Sequence, residues 1–455
     1  MKNPAANSLN GPELLSPAGS LKHQRFAFAY GADAVYAGQP RYSLRVRNNA
    51  FKDADAIATG IREAHQLGKQ FYLASNIAPH NDKLRSYLRH LEPIIEAQPD
   101  ALIMSDPGLI MLVRERWPEQ TIHLSVQANA VNWATVKFWY QQGIKRVILS
   151  RELALEEVAE IREMVPEMEL EVFVHGALCM AYSGRCLLSG YINHRDSNQG
   201  ACTNACRWKY QNHEAKENEV GELVPVQSFD PTTENQDKTP AEPESEGLAV
   251  LLQEANNPDE LIPAYEDEHG TYIMNSKDLR AVQHVPRLCD MGLHSLKIEG
   301  RTKSHYYAAR TAQVYRRAID EHMRGKPFDM GLMDTLETLS NRGYTEGFFN
   351  RHPSGEFQNY EMGLVNAKQQ QFVAEVIDAN NDELIVEAKN AFCVGDTLEL
   401  MCPSGNQFIQ LDGIIDKRGN SIQRVAGSGH RVRLPLPIDI TADMVDFGLL
   451  IKHAN

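Results

Sequence analysis

Four of the seven cysteines in this 455-residue chain, Cys179, Cys186, Cys202 and Cys206, fall in one short stretch with the spacing C-x6-C-x15-C-x3-C. Four thiolates can complete a tetrahedral zinc site or hold the irons of an iron–sulfur cluster. Zinc knuckles use tight C-x2-4-C pairs, which only Cys202 and Cys206 approach, so the wide first pair favours a cluster and leaves zinc as the alternative. Four small buried residues would be the plain reading of cysteine, but such clustering argues against it. The flanking residues Arg185, His194, Arg195, Arg207 and Lys209 are polar and basic, and suit a phosphate-rich partner. Cys289, Cys393 and Cys402 are isolated and read as small hydrophobes, with Cys289 held in reserve as a ligand from afar. A cysteine nucleophile with His175 as its base is the competing chemistry, since a thiolate beside imidazolium is activated. That model leaves three neighbouring cysteines unexplained. Neither an H-E-x-x-H zinc helix nor a G-x-S-x-G nucleophile elbow occurs.

The elements that position these cysteines read as β, α, β, α alternation from Glu13 to Gly300. Nine short apolar runs, ELLSPA, DAVYAG, QFYLAS, ALIMSD, IHLSVQ, RVILSRE, EVFVHG, TYIMNS and SLKIEG, are separated by amphipathic stretches such as Asp53 to Leu67 and Leu153 to Val165. Strands apolar on both faces imply a parallel sheet covered by helices. A TIM-type barrel needs eight, so one run is an accessory strand or a misreading. Polar residues follow the runs repeatedly: Ser16, Asn76, Asp106, Gln127, Arg151 with Glu152, His175, Lys277 with Asp278, and Glu299 with Arg301. In such a barrel these ends converge on the active-site face, and the cysteines follow the seventh run directly. After a helical stretch from Ser304 to Gly325, six period-two strands between Phe372 and Lys452 predict a small antiparallel barrel. The expected organisation is a barrel over 1–325 containing an acidic flexible insertion at 210–268, a connecting region at 326–364 and the small barrel over 365–455.

Charge confines the choices further. The chain carries 46 Lys and Arg against 60 Asp and Glu, a net −14 that argues against a generically basic nucleic-acid binder. Between Glu214 and Glu268, however, 16 acidic residues face only Lys216 and Lys238, so the whole excess lies there and the rest is balanced. Phe229 to Gly247 is rich in Pro, Glu, Thr and Ser, and nearly lacks the apolar groups that would offset the entropy of ordering. No apolar run is long enough for a signal-peptide core or a spanning helix, so a cytoplasmic protein without disulfides is expected.

The stretch EVFVHGALCMAYSGRCLLS, Glu171 to Ser189, resembles the signature of peptidase family U-32, matching at Glu171, Phe173, Gly176, Ala177, Leu178, Cys179, Gly184, Cys186, Leu188 and Ser189. ELLSPAGS, ADAVYAGQPRYSLRVRNN, IMSDPGLI, HLSVQANAVN, NSKDLR, LKIEGRTKS and NRGYTEGF are similar to the same family, in particular to its branch of tRNA hydroxylation proteins. The resemblance spans nearly the full chain and departs mainly in the acidic insertion. It implies prephenate-dependent hydroxylation of the wobble uridine of certain tRNAs to 5-hydroxyuridine, with Cys179, Cys186, Cys202 and Cys206 as ligands of a [4Fe-4S] cluster. A collagenase-like peptidase, or an RNA-binding factor with a structural zinc, are the other classes to weigh.

On that reading the partners are a tRNA anticodon loop and prephenate. A base already in a single-stranded loop is inexpensive to extrude toward the barrel mouth. His175 and Glu299 are the candidate catalytic side chains. Arg301 and Lys277 are candidates to hold prephenate carboxylates, the guanidinium because it can fork onto one. Structural ion pairs with Glu299 or Asp278 compete for both. Arg45 and Arg47, within RYSLRVRNN, and the basic segment Ser276 to Arg310 with His305, Tyr306 and Tyr307 for base stacking, are the expected RNA contacts.

Overall fold

The computed structural model describes residues 11–44, 49–178, 277–339, 341, 343–350, 370–380, 383–427, 429–435 and 442–453, together with the backbone of strands between 210 and 271. Its first half is a barrel. Strands β1 (Glu13–Pro17), β2 (Ala34–Gly38), β3 (Gln70–Ser75), β4 (Ala101–Met104), β5 (Ile122–Leu124), β6 (Arg146–Ile148) and β7 (Glu169–Ala177) pair in parallel in chain order. Helices α1 (Leu21–Ala29), α2 (Ala54–Gln66), α3 (Asn81–Glu96), α4 (Pro107–Arg116), α5 (Trp133–Gln141) and α6 (Leu155–Met164) connect them. Caps set where several helices begin: Ser20, Asp53, Asp106 and Asn132 each accept from the backbone N–H three residues on. The Asp106 strand-end carboxylate is therefore a cap.

Five antiparallel strands follow: β8 (Tyr210–Glu217), β9 (Leu223–Pro225), β10 (Leu248–Glu254), β11 (Asn257–Asp267) and β12 (Gly270–Thr271). Within the segment 210–268, expected as an acidic insertion, extended runs such as LAVLLQE pair with their neighbours. Residues 226–247, which include the Pro- and Glu-rich stretch, lie outside the described residues. TYIMNS is the surplus run, since Thr271 belongs to this second sheet and residues 272–276 are not described.

The chain returns through β13 (Asp278–Arg280) and α7 (Val285–Asp290) to β14 (Ser295–Ile298), which pairs in parallel with both β1 and β7. That double pairing closes the eight-stranded barrel, as the sequence pattern predicts. β13 was not expected; it runs antiparallel to β7 and pairs on its other side with β15 (Tyr344–Thr345).

Helix α8 (His305–Met323) carries the contact with the C-terminal part, and α9 (Gly331–Glu337) packs beside it. Beyond lie β16 (Gln370–Ala379), β17 (Glu383–Ala388), β18 (Phe392–Cys393), β19 (Thr397–Cys402), β20 (Gly405–Gln410), β21 (Arg424–Val425), β22 (Arg431–Pro435) and β23 (Leu449–His453). Six of them form an antiparallel sheet in the order β20-β19-β23-β16-β17-β22, and β18 pairs with β21. No helix among the described residues is long and apolar enough to cross a membrane.

The two halves share one core, in which Met401, Leu449 and Ile451 join the barrel's apolar cluster. Arg310 of α8 forks onto Glu399 of β19 at 2.8 and 2.7 Å, with both side chains buried. Tyr30 OH donates to Met401 O at 2.8 Å, and Tyr306 stacks on Phe372 with ring centroids 5.2 Å apart. Breaking a buried pair from one side leaves an uncompensated charge, so Arg310→Met is expected to cost about 3 to 5 kcal/mol in urea unfolding, and Arg310→Met with Glu399→Leu to regain most of it.

A second contact, Glu375 of β16 against Lys22 at 2.5 Å and His305 at 3.3 Å, is sensitive to acid. Burial pushes the Glu375 carboxyl up, but His305 and Lys22 outweigh it and leave the pKa at about 2, below the ordinary 4.5. The stabilisation it contributes is present above about pH 4.5 and lost as pH falls toward about 2. Glu375→Gln should flatten the stability–pH curve in that window and leave its slope unchanged near neutrality.

Candidate active site at the barrel mouth

Alternation along a strand sends every second side chain into the barrel. On β14 and its continuation, Ser295, Lys297 and Glu299 share that side. On β7 it is Glu171, opposite Ser295, and Phe173, opposite Lys297. Glu171 is fully buried; its carboxylate accepts from Lys297 Nζ at 2.8 Å and from Arg146 Nη1 at 3.3 Å. Arg146 also donates to Glu13 at 2.7 Å, and Glu13 accepts from Tyr72 OH at 2.6 Å and Ser295 Oγ at 2.9 Å. The barrel is therefore filled by a charged, hydrogen-bonded network where aliphatic layers are usual. Burial pushes the Lys297 ammonium pKa down, against the pull of Glu171. His123, edge-on to Tyr72 at 4.8 Å, is held neutral by burial and by Arg146.

Above this floor, cations and rings alternate. Lys297 Nζ lies 4.4 Å from the Tyr36 ring centroid and 5.4 Å from that of Phe173. The Arg301 guanidinium sits 5.7 Å from Tyr36, and that of Arg151 lies 3.7 Å from Phe173. Tyr36 OH donates to Glu299 Oε2 and to Ile298 O, each at 3.0 Å. Burial first, and then the Glu299 charge, hold that phenol protonated. Three cations, one carboxylate and two aromatic faces can seat a small anion that carries an unsaturated or apolar body.

The candidates fall into three groups. Glu299 and Arg301 meet at the mouth through Tyr36. Lys277 lies elsewhere, its stem against Gly343. Arg45, Arg47, Cys179, Cys186, Cys202 and Cys206 lie outside the described residues.

His175 is turned away from the interior. The β7–β14 register skips Val174, so His175 aligns with Ile298, and Gly176 takes φ +103° at a position where a Cβ would run into Glu299 O. The imidazole is buried among Tyr307, Tyr315 and Tyr344, with Tyr315 OH 3.3 Å from Nδ1. Burial, helped by Lys303 and Arg280, takes its pKa down to about 3, so it is a neutral ring that does not favour an imidazolium–thiolate pair.

The expected RNA-stacking patch also needs correction. Tyr306 and Tyr307 are buried, because α8 is packed between the barrel and the C-terminal sheet, and Tyr307 OH donates to Glu299 O at 2.7 Å. Of the basic residues counted there, Lys297, Arg301 and Arg310 are buried, while Arg280 and Arg287 pair with Glu337 and Glu156. Sequence reasoning missed Lys297, Glu171, Tyr36 and Phe173. Their signal was present: a Lys and a Glu inside otherwise apolar strands must be paired inside the barrel.

A TIM-type barrel with a charged interior, a cation-lined mouth and an appended antiparallel sheet is the class that fold and site define. The chain belongs to peptidase family U32. The family model described as Peptidase family U32 matches residues 19–359, and the one described as its C-terminal domain matches residues 368–445. A Haemophilus influenzae protein named tRNA hydroxylation protein P is 59% identical over 448 residues, covering 97% of this chain and 96% of its own. Its Escherichia coli namesake is 60% identical over 449 residues, covering 97% of each. An Escherichia coli 23S rRNA 5-hydroxycytidine synthase is 27% identical over 443 residues, covering 95% of this chain and 57% of its own.

If the floor network holds the mouth in shape, Lys297→Met leaves Glu171 only the longer contact with Arg146, and should lower stability to urea by about 3 kcal/mol. Lys297→Met with Glu171→Leu should recover much of that loss while binding at the mouth stays impaired.

Proposed function

We propose that this chain is a tRNA-hydroxylating enzyme that converts a wobble uridine to 5-hydroxyuridine with prephenate as co-substrate and a [4Fe-4S] cluster as cofactor. The observation that carries the reading is the relationship, at 59 and 60% identity over 97% of the chain, to two proteins named for tRNA hydroxylation. The mouth geometry supports it, since Arg151, Arg301 and Lys297 set over Tyr36 and Phe173 suit a small cyclic acid.

Cys179, Cys186, Cys202 and Cys206 would hold the cluster. The donor set fits: four thiols follow β7, which ends at the mouth with Ala177, and thiolates are the usual ligands of such a group. When bound, it would supply the redox capacity that side chains lack. The chain's own residues bind and orient. Arg301 takes a carboxylate; Tyr36, its hydroxyl committed to Glu299 and Ile298 O, presents its ring face. Lys297 sets a positive floor. The uracil enters from an anticodon loop, and Arg45 and Arg47, next in the chain after the loop that follows β2, are the candidates for its phosphates. For a peptidase, the neutral, enclosed His175 offers no comparable support.

The test is anaerobic purification with iron, sulfide and zinc analysis, followed by mass spectrometry of nucleosides from tRNA incubated with protein and prephenate. Brown protein with about four irons per chain that forms 5-hydroxyuridine is expected, and Cys186→Ala should lose both. Colourless protein with stoichiometric zinc would sink the cluster, and unmodified tRNA from the iron-loaded protein would sink the hydroxylation.

A further inference from the structure

We propose that Arg301 and Ser43, set side by side against Gly38, form with Lys297 a closed pocket for one carboxylate of a small organic acid. The assignment deepens the function proposed above, in which such an acid is the co-substrate.

Gly38 ends β2 on the barrel-facing side, in step with Tyr36. A Cβ at that position would lie 2.4 Å from Arg301 Nη1 and 2.4 Å from Ser43 Oγ, so the two groups sit no more than twice that distance apart. Ser43 is fully buried, and its hydroxyl has no hydrogen-bond partner among the described residues. Across the mouth Ser150, also buried, has a hydroxyl in the same condition. A buried hydroxyl without a partner carries a desolvation cost, and one beside a guanidinium is complementary to a carboxylate oxygen.

The loop that presents Ser43 is fixed in advance. Arg41 adopts φ +68°, unusual for a residue with a side chain, and Tyr42 N donates to Gln39 O at 3.3 Å. Tyr42 is buried and hydrogen-bonds Ser86 at 3.0 Å and His90 at 2.9 Å on α3, while Leu44 N donates to Asn76 Oδ1 at 3.4 Å. Strain held by such anchoring marks a preorganised site. Enclosure then selects the ligand: Ser43, Lys297 and Arg301 are 0, 3 and 8% exposed, which suits a detached acid and excludes the phosphate of a continuous RNA strand, whose neighbours would have to enter with it.

Gly38→Ala and Ser43→Ala in the full-length protein test the pocket. Gly38 has no positive φ, so alanine fits the backbone and acts only by displacing Arg301 and Ser43. Calorimetric titration with prephenate should show about tenfold weaker binding in each variant, and turnover a matching rise in its KM, with the tRNA KM and iron content unchanged in both and the melting temperature unchanged in Ser43→Ala. Unchanged acid affinity in both variants, or a wild type that does not bind the acid, would overturn the pocket. A shift in the tRNA KM alone would reassign the residues to the nucleotide and also overturn it. A wild type that binds prephenate, with both variants weakened, but leaves tRNA unmodified would refute the proposed reaction and keep the pocket.

Discussion

The arrangement at the mouth depends on one buried carboxylate. Glu171 has no access to water, and its charge is tolerable only because Lys297 and Arg146 meet it inside the barrel. Its position also joins the two ends of the barrel chain, since it sits on β7 and its main partner on β14. The closing seam is therefore electrostatic as well as hydrogen-bonded. A barrel closed by aliphatic packing would hold as well, but would not fix an ammonium group beneath the mouth.

From that pair the strand period does the rest. Ser295, Lys297 and Glu299 rise along one side of the last strand as a ladder of polar groups, from the Glu13 cluster at the bottom to Tyr36 at the top. Each rung is paired with a residue on another strand, Ser295 with Glu13, Lys297 with Glu171 and Glu299 with Tyr36. Near the mouth the hydroxyls of Ser43 and Ser150 have no such partner among the described residues.

Much of the architecture was legible in the sequence because parallel strands buried on both faces write themselves as apolar runs. Eight such runs became the barrel, and the six period-two runs became the C-terminal sheet. The site was less legible for two physical reasons. Residues following strands were read as the site, whereas Lys297 and Glu171 lie within strands and declare themselves only through their partners. Simple alternation puts His175 with Phe173, while the skipped register at Val174 and the left-handed Gly176 place it on the outer side. Tyr306 and Tyr307 failed as stacking residues because sequence does not show that a third layer covers α8. The net charge misled as well, since all of its excess belongs to the segment around β8 to β12 and none to the barrel.

The family's peptidase name can be weighed on the same physical terms. A cysteine nucleophile at neutral pH is activated by a protonated imidazole close by. Burial, with Lys303 and Arg280 nearby, holds the His175 pKa far below its ordinary range, so the ring is neutral at pH 7. Its three tyrosine neighbours supply no carboxylate to raise that pKa, and the charges of Lys303 and Arg280 lower it further. The groups that do face the mouth are cations, a protonated phenol and a carboxylate, a set suited to holding an acidic small molecule and poorly suited to activating a thiol.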